Sequence, residues 1–220
     1  MLRVSCLVIK TSKPVSESAS KLRGFVGRRF TEYPILHHHA ADGEYLYTYP
    51  RVQYRVIAGV PQILGIEEGA RVLREISDEL TELVLGGRRY RITQKILYEQ
   101  EVKPKPARVK QYKFITPWLA LNPENYRKYK EIRDWKEKKN LLNRILVGNI
   151  LAMCKSFGIV VRKRLHAHSL LEPEKVRYKG VEVLGFTGEF RVNFAIPELF
   201  GLGKGVSQGF GVVMNAPGDR

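Results

Sequence analysis

The first half of the chain alternates segments with strand-like and helix-like hydrophobic periodicity. Strands are predicted where Val, Ile and Tyr recur in short apolar or alternating runs, at residues 3–9, 45–57, 60–66 and 90–98. Apolar residues spaced three and four positions apart predict helices at residues 16–30 and 67–85. We expect Gly59 to form a hairpin turn and Gly86-Gly87 to end the second helix. The order β-α-β-β-α-β is typical of the ferredoxin-like fold, which RNA-recognition modules share.

A similar order follows Lys103-Pro104-Lys105-Pro106, a run that predicts a stiff link between domains. Asn122 followed by Pro123 indicates a helix start, and the helical pattern reaches Phe157 with a polar interruption at residues 134–140. Strands are predicted at residues 109–119, 159–168, 181–196 and 210–214.

These patterns predict an α+β protein with two tandem ferredoxin-like (RRM-like) domains, each built on an antiparallel sheet. The N-terminal domain is expected at residues 1–103 and the C-terminal domain at residues 108–220. In the second domain a short glycine-rich segment stands where the second helix would be.

Composition adds a strong positive charge to this picture. The chain has 38 Lys and Arg against 22 Asp and Glu, a formal net charge of +16. Such an excess attracts polyanions, nucleic acid above all, although an acidic protein or a membrane surface would satisfy the same charge. No apolar stretch approaches the ~20 residues of a membrane span, and the N-terminus lacks a secretory pattern. We therefore expect a cytoplasmic protein with no membrane partner.

The densest glycine cluster is Gly-Leu-Gly-Lys-Gly-Val-Ser-Gln-Gly-Phe-Gly at residues 201–211. Backbone N–H groups at Gly203, Gly205 and Gly209, with Lys204 among them, would suit RNA phosphates. A nucleotide-binding P-loop is excluded because no Gly-Lys-Ser/Thr ending is present and a strand follows the cluster. A flexible hairpin that binds nothing is the alternative.

Three successive histidines, His37, His38 and His39, follow the first predicted helix. Imidazole can both accept and donate a proton near neutral pH, so such a cluster could deprotonate a ribose 2′-hydroxyl and protonate the leaving 5′-oxygen. A zinc site is less well supported because successive side chains diverge and no Cys or carboxylate completes the set. A solvated loop remains the other interpretation.

Further basic residues fall on two of the predicted elements. Alternation along the strand at 159–168 would place Arg162 and Arg164 on one face, together with two histidines. That face could bind RNA, or its charge could protect an exposed edge strand from aggregation. Arg28 and Arg29 on the first helix are also candidate RNA contacts.

The glycine-rich ending resembles the C-terminal signature of the CRISPR-associated repeat-cleaving endoribonucleases of the RAMP superfamily. The resemblance extends over the chain and is closest to the archaeal and clostridial branch, in which five further segments are similar: residues 33–39, 49–54, 65–69, 114–122 and 184–190. It implies two ferredoxin-like domains in tandem and an enzyme that cuts precursor CRISPR transcripts within each repeat. The cleavage it implies needs no metal or cofactor and leaves a 2′,3′-cyclic phosphate and a 5′-hydroxyl.

The resemblance also implies roles for individual residues. The branch pattern Leu-His-x-His falls on residues 36–39, which gives His37 and His39 the catalytic roles and leaves open which is the base. His38 departs from the commoner residue at its position and is a further catalytic candidate. Tyr47 is the nearest match to a functional tyrosine, with Tyr45 and Tyr49 as alternatives. The expected partner is CRISPR repeat RNA; an effector complex and a second copy of the chain are further candidates.

A rival hypothesis is an RNA-binding protein of the same fold that binds repeat or structured RNA without cleaving it. It would explain the charge equally well. A ribosomal or structural RNA protein would also explain the charge but would have no use for the histidine triplet.

Overall fold

The computed structural model describes residues 1–37 and 49–216, which form two compact units. One unit comprises Met1–Val102 together with Val206–Gly209, and the other comprises Lys103–Gly205 together with Phe210–Arg220. Each unit is built on an antiparallel sheet with helices. The predicted α+β class with two ferredoxin-like domains is confirmed.

The first unit has the predicted β-α-β-β-α-β order with one additional strand. Its elements are β1 (Leu2–Thr11), α1 (Ala19–Arg29), a 3₁₀ turn (Pro34–Leu36), β2 (Val52–Ile57), β3 (Val60–Ile66), α2 (Glu68–Ser77), β4 (Glu82–Leu85) and β5 (Arg88–Val102). The sheet order is β2-β3-β1-β5-β4. The first four of these strands have the ferredoxin-like arrangement, and β4 extends the sheet at its edge.

Apolar stripes on both helices close the core of this unit. Leu22 and Val26 on α1, and Leu73 on α2, are completely buried with Leu7 and Ile9 of β1. Each such side chain contributes about 1.5–3 kcal/mol through burial alone. The residues at the three- and four-residue spacing seen in the sequence are therefore the ones that face the sheet.

The second unit repeats the topology but has no α-helix between its third and fourth strands. Its elements are β6 (Lys105–Trp118), α3 (Pro123–Glu131), α4 (Trp135–Ser156), β7 (Ala167–Tyr178), β8 (Val181–Ala195) and β9 (Val213–Asn215). The sheet order is β7-β8-β6-β9. The Asn122 side chain caps α3 by accepting from the Asn125 N–H at 2.7 Å, and Asp134 caps α4 by accepting from the Lys136 N–H at 2.5 Å. The predicted helix start and the interruption are confirmed, although the break lies at residues 132–134.

The predicted helix at 67–85 is wrong beyond Ser77. Residues 82–85 form β4, which pairs with β5 in the register Leu83↔Tyr90 and Leu85↔Arg88. Gly86-Gly87 is the turn of this hairpin rather than a helix stop. Leu83 and Leu85 are buried while Glu82 is not, so a period of two explains their burial where a period of 3.6 was assumed.

Two other predicted boundaries move for identifiable reasons. Of the strand predicted at residues 45–57, residues 45–48 lie outside the described part of the chain. In the described part the strand begins at Val52, after Pro50, which has no N–H to donate to a ladder. β6 begins at Lys105 within the predicted link, and its register shifts after Pro106, where a proline is tolerated. No helix among the described residues, 1–37 and 49–216, is long and apolar enough to cross a membrane.

The strand predicted at 159–168 is also wrong in extent, because the β7 ladder begins only at Ala167. One residue before Ala167, the Asn193 side chain makes the hydrogen bond that the β8 backbone would make in a regular ladder. Its Oδ1 accepts from the His166 N–H at 2.8 Å, and its Nδ2 donates to the Arg164 carbonyl at 3.0 Å. Residues 164–166 therefore lie beside β8 but are held by a side chain rather than by ladder hydrogen bonds.

Candidate active site

His37 ends the 3₁₀ turn that follows α1 in the first unit. Pro34 opens this turn, Leu36 is buried, and the His37 N–H donates to the Pro34 carbonyl at 3.0 Å. The Tyr54 hydroxyl donates to the Leu36 carbonyl at 3.1 Å from a completely buried ring. Burial raises the pKa of Tyr54, so its hydroxyl keeps its proton and remains a donor. The hydrogen bond from Tyr54 on β2 thus holds the backbone immediately before His37.

The imidazole of His37 packs directly on α1. Its Nε2 lies 2.5 Å from the Gly27 carbonyl oxygen. Because a carbonyl oxygen only accepts, Nε2 is the protonated nitrogen, and in the neutral ring Nδ1 carries the lone pair. A Cβ on Gly27 would overlap the imidazole ring, so only glycine at this helix position lets the ring reach the carbonyl.

Arg23 lies one helical turn before Gly27, on the same face of α1. Its Nη2 donates to the His37 carbonyl oxygen, and its Nη1 donates to the Ser207 hydroxyl at 3.4 Å. One guanidinium therefore contacts both the backbone that carries His37 and the serine of the glycine-rich segment.

The short stretch Val206–Gly209 belongs to the first unit. Gly209 has a φ of +89°, and a Cβ there would lie 2.9 Å from the Ala19 Cβ and 3.0 Å from the Tyr54 carbonyl oxygen. This glycine is required by its backbone conformation and by close packing on α1 and β2. Such packing does not fit a flexible hairpin.

A buried arginine adds positive charge to β2. Arg55 is 1% exposed, and burial lowers its pKa to about 10. The guanidinium is therefore still protonated at neutral pH. Partial burial lowers the pKa of Arg51 as well. Arg51 directly precedes β2 and Arg55 lies within it, so this strand carries fixed positive charge.

The described residues include only part of the predicted catalytic set. His38, His39 and Tyr47 lie outside them. Arg28 and Arg29 are exposed at the end of α1, where the Arg29 Nη2 donates to the Glu79 carbonyl at 3.0 Å. Within residues 1–37 and 49–216, no group of three or more His, Cys, Asp or Glu side chains is placed to hold a metal ion.

The other predicted RNA contacts belong to the second unit. Gly203 has a φ of +83°, and a Cβ there would lie 2.6 Å from Nε1 of the buried Trp118. The Lys204 N–H donates to the Leu119 carbonyl at 3.1 Å, while the Lys204 side chain is exposed next to Gly205. These contacts hold residues 203–205 against the end of β6 and leave the Lys204 ammonium in solvent.

Arg162 and Arg164 do not lie on a strand face, because the β7 ladder begins after them. Both are exposed. Arg164 lines a groove with His166 and His168, and Arg162 is not part of it. The prediction that one strand face carries all four basic side chains is therefore wrong.

Three residues that sequence reasoning missed are Arg23, Ser207 and Arg55. Arg23 was one of several basic residues on α1, and only its four-residue offset from Gly27 distinguishes it. Ser207 looked like a spacer between glycines. Arg55 lies between Tyr54 and Val56 in a strand rich in Val and Tyr, and a charge at such a position is the signal that could have identified it.

Comparison with known proteins gives consistent matches over the chain. The family model of the Cas6b N-terminal domain matches residues 1–103, and that of the Cas6b C-terminal domain matches residues 105–216. An uncharacterized protein of Methanocaldococcus jannaschii is 48% identical over 145 residues, which is 64% of this chain and 96% of that protein.

Among solved structures, a crystal structure of Cas6b has a TM-score of 0.91 and 31% identity, covering 98% of this chain and all of that one. A crystal structure of the CRISPR RNA processing endoribonuclease Cas6b has a TM-score of 0.79 and 28% identity over the same share of this chain. A RAMP protein described as binding different RNA substrates has a TM-score of 0.60 at 12% identity, a likeness of fold alone.

Proposed function

Because the chain belongs to the Cas6b family, we propose that it is a metal-independent endoribonuclease that cuts CRISPR precursor RNA within its repeats. The products are a 2′,3′-cyclic phosphate and a 5′-hydroxyl, and the mature product is a guide RNA. The observation that carries the proposal is the orientation of His37. Its Nε2 donates to the Gly27 carbonyl, which makes Nδ1 the proton acceptor of the neutral ring.

The proposed reaction uses the nucleophile of the RNA itself. His37 Nδ1 accepts the proton of the ribose 2′-hydroxyl as this oxygen forms a bond to the adjacent phosphorus. The bond from phosphorus to the 5′-oxygen breaks, and His39 donates a proton to that leaving oxygen. Tyr47 orients the phosphate. The roles of His39 and Tyr47, and of His38 as a possible substitute, rest on the family resemblance.

The arginines supply the positive charge that the reaction needs. Charge on the phosphate oxygens changes as the 2′-oxygen attacks, and a fixed cation nearby stabilises it. Arg28 and Arg29 on α1 are the exposed candidates for this role. Arg23 is proposed as a positioning residue, because its contacts are to the His37 backbone and to Ser207.

The proposal predicts cleavage of labelled repeat RNA in excess EDTA. We expect one cut per repeat, with a cyclic phosphate on the 5′ fragment that acid treatment opens to a monophosphate. The reason is that every proton transfer is made by side chains of the chain. Gel analysis beside an alkaline ladder measures the cut position, and mass spectrometry identifies the ends. If the chain bound RNA in EDTA but cleaved it only after Mg²⁺ was added, the mechanism would be contradicted. If it bound RNA but cleaved it under neither condition, the non-catalytic rival would be favoured.

Gly27→Ala is expected to slow single-turnover cleavage by about 10²-fold, because a Cβ forces the His37 ring off the Gly27 carbonyl and misplaced reacting groups lose about that much. The measurement is the cleavage rate at saturating RNA, accompanied by a melting curve.

Gly24→Ala is the matched control on the same helix. A Cβ at Gly24 would meet only the flexible end of Arg28, at 3.2 Å from Nη1. This variant should cleave nearly as fast as the wild-type chain and gain up to about 1 kcal/mol of stability from its helix propensity. Equal rates for the two alanine variants would mean that the contact between His37 and Gly27 has no part in the reaction.

The partners of the chain follow only in part from these arguments. Repeat RNA is the proposed substrate. An effector complex, a homodimer and a cytoplasmic location remain predictions from the sequence.

A further inference from the structure

The second unit contains a groove that the proposed cleavage reaction does not use. Its volume is about 660 Å³, within the ~300–1,000 Å³ range of sites for small molecules and single nucleotides. One wall is α4, and the other is the extended segment at residues 164–168 that leads into β7.

The α4 wall is one face of the helix. Asn140, Asn143, Arg144 and Val147 recur at spacings of three and four, and Glu137 lies one turn earlier. The Asn143 Oδ1 accepts from both the N–H and the hydroxyl of Ser169, at 3.0 and 2.8 Å. This pair of bonds ties α4 to β7 and turns the N–H groups of the Asn143 amide away from Ser169.

The facing wall is held equally firmly. Leu165 and Ala167 are buried, whereas Arg164, His166 and His168 are exposed, so alternation continues through this segment. The Asn193 side chain joins the Arg164 carbonyl and the His166 N–H to β8. Because both walls are fixed by part-buried hydrogen bonds, a ligand would enter a preformed groove and would not have to order its walls.

The chemistry of the lining suits a nucleotide. Arg144 and Arg164 can each contact a phosphate, and the partly exposed Ile132 and Val147 offer apolar surface to a base. Amide and carboxylate groups at Asn140, Asn143 and Glu137 supply the donors and acceptors that base edges require. The Glu137 carboxylate can accept from an N–H on a base edge, whereas the carboxylates of an acidic peptide offer it no donor.

We propose that this groove binds an unpaired nucleotide of single-stranded RNA, with its phosphates at Arg144 and Arg164. The inference takes from the proposed function only that RNA is the ligand. The groove is thus a second contact for RNA, carried by the C-terminal unit.

The test uses the full chain and a short fluorescein-labelled oligouridine, which lacks a repeat. Arg144→Gln and Arg164→Gln should each raise the Kd about tenfold, the lower range for hydrogen bonds to charged groups. Each should also reduce the slope of log Kd against log salt by about 0.7, the value for one phosphate of a single strand. Arg177→Gln, which removes an equal charge from an exposed position on β7 outside the groove, should leave the Kd close to the wild-type value.

A second readout locates the RNA. Oligouridine carrying a thiouridine should crosslink to peptides containing residues 140–147 and 164–168. Wild-type affinity in both groove variants, or crosslinks confined to other peptides, would overturn the proposal; loss of oligoglutamate binding in those variants would then assign the groove to an acidic protein. Because no step requires cleavage, a chain that binds oligouridine here but leaves repeat RNA intact would contradict the proposed function and not this site.

Discussion

Replacing His37 by alanine is expected to slow single-turnover cleavage of repeat RNA by about 10²–10⁴-fold, the range for losing a general acid or base. The base role is our proposal, and the contact between the His37 ring and α1 supports it. With Nε2 donating to the Gly27 carbonyl, Nδ1 carries the lone pair of the neutral ring. His39→Ala should cost a similar factor, because the leaving 5′-oxygen then lacks its proton donor.

Binding measurements distinguish this loss from a loss of RNA affinity. The Kd of both variants for repeat RNA should stay near the wild-type value, because most of the affinity comes from phosphate contacts. Rates within a few-fold of wild type in both variants would show that the histidine triplet is only a loop. If His38→Ala slowed cleavage as much as His37→Ala or His39→Ala, the acid–base pair would have to be reassigned.

Much of the first unit could be predicted from the sequence because local patterns coincide with tertiary burial there. The spacing of Leu22 and Val26 predicted α1, and both residues are completely buried. The pattern was ambiguous where the hydrophobic residues satisfied two periods. Leu80 and Leu83 continue a helical stripe, but Leu83 and Leu85 also alternate as in a strand, and the pairing of β4 with β5 decides between the two.

Local periodicity cannot predict where a side chain takes the place of a backbone hydrogen bond at the end of a strand. The exposed positions of Arg164 and His166 follow from alternation, as predicted. The start of β7 depends instead on Asn193, which lies 27 residues after His166 in the sequence and takes over its hydrogen bond. Long-range contacts of this kind depend on the finished fold.

In the candidate site, too, local patterns predicted some features and long-range contacts determine the others. Imidazole chemistry made the histidine triplet a catalytic candidate, and the resemblance gave the roles to His37 and His39, but the choice between base and acid remained open. The contact with Gly27 bears on that choice, and it depends on how the chain folds back onto α1 after Pro34. Arg23 reaches Ser207 across 184 positions of sequence, a contact that no local pattern encodes.

The largest effect is expected from the substrate rather than from the protein. Removing the 2′-hydroxyl at the nucleotide immediately 5′ of the scissile phosphate should abolish cleavage, because the nucleophile of the proposed reaction is then absent. Binding should be retained, since the phosphates and the other riboses are unchanged. A deoxy substitution one nucleotide away is the matched control and should still allow cleavage.

The most direct test of the account is therefore the single-turnover rate on these two substrates in EDTA. We expect no cut in the RNA with a 2′-deoxy nucleotide immediately 5′ of the scissile phosphate, and a normal cut in the control RNA. Cleavage of the first substrate at the same phosphate would contradict attack by the 2′-hydroxyl, and with it the role proposed for His37.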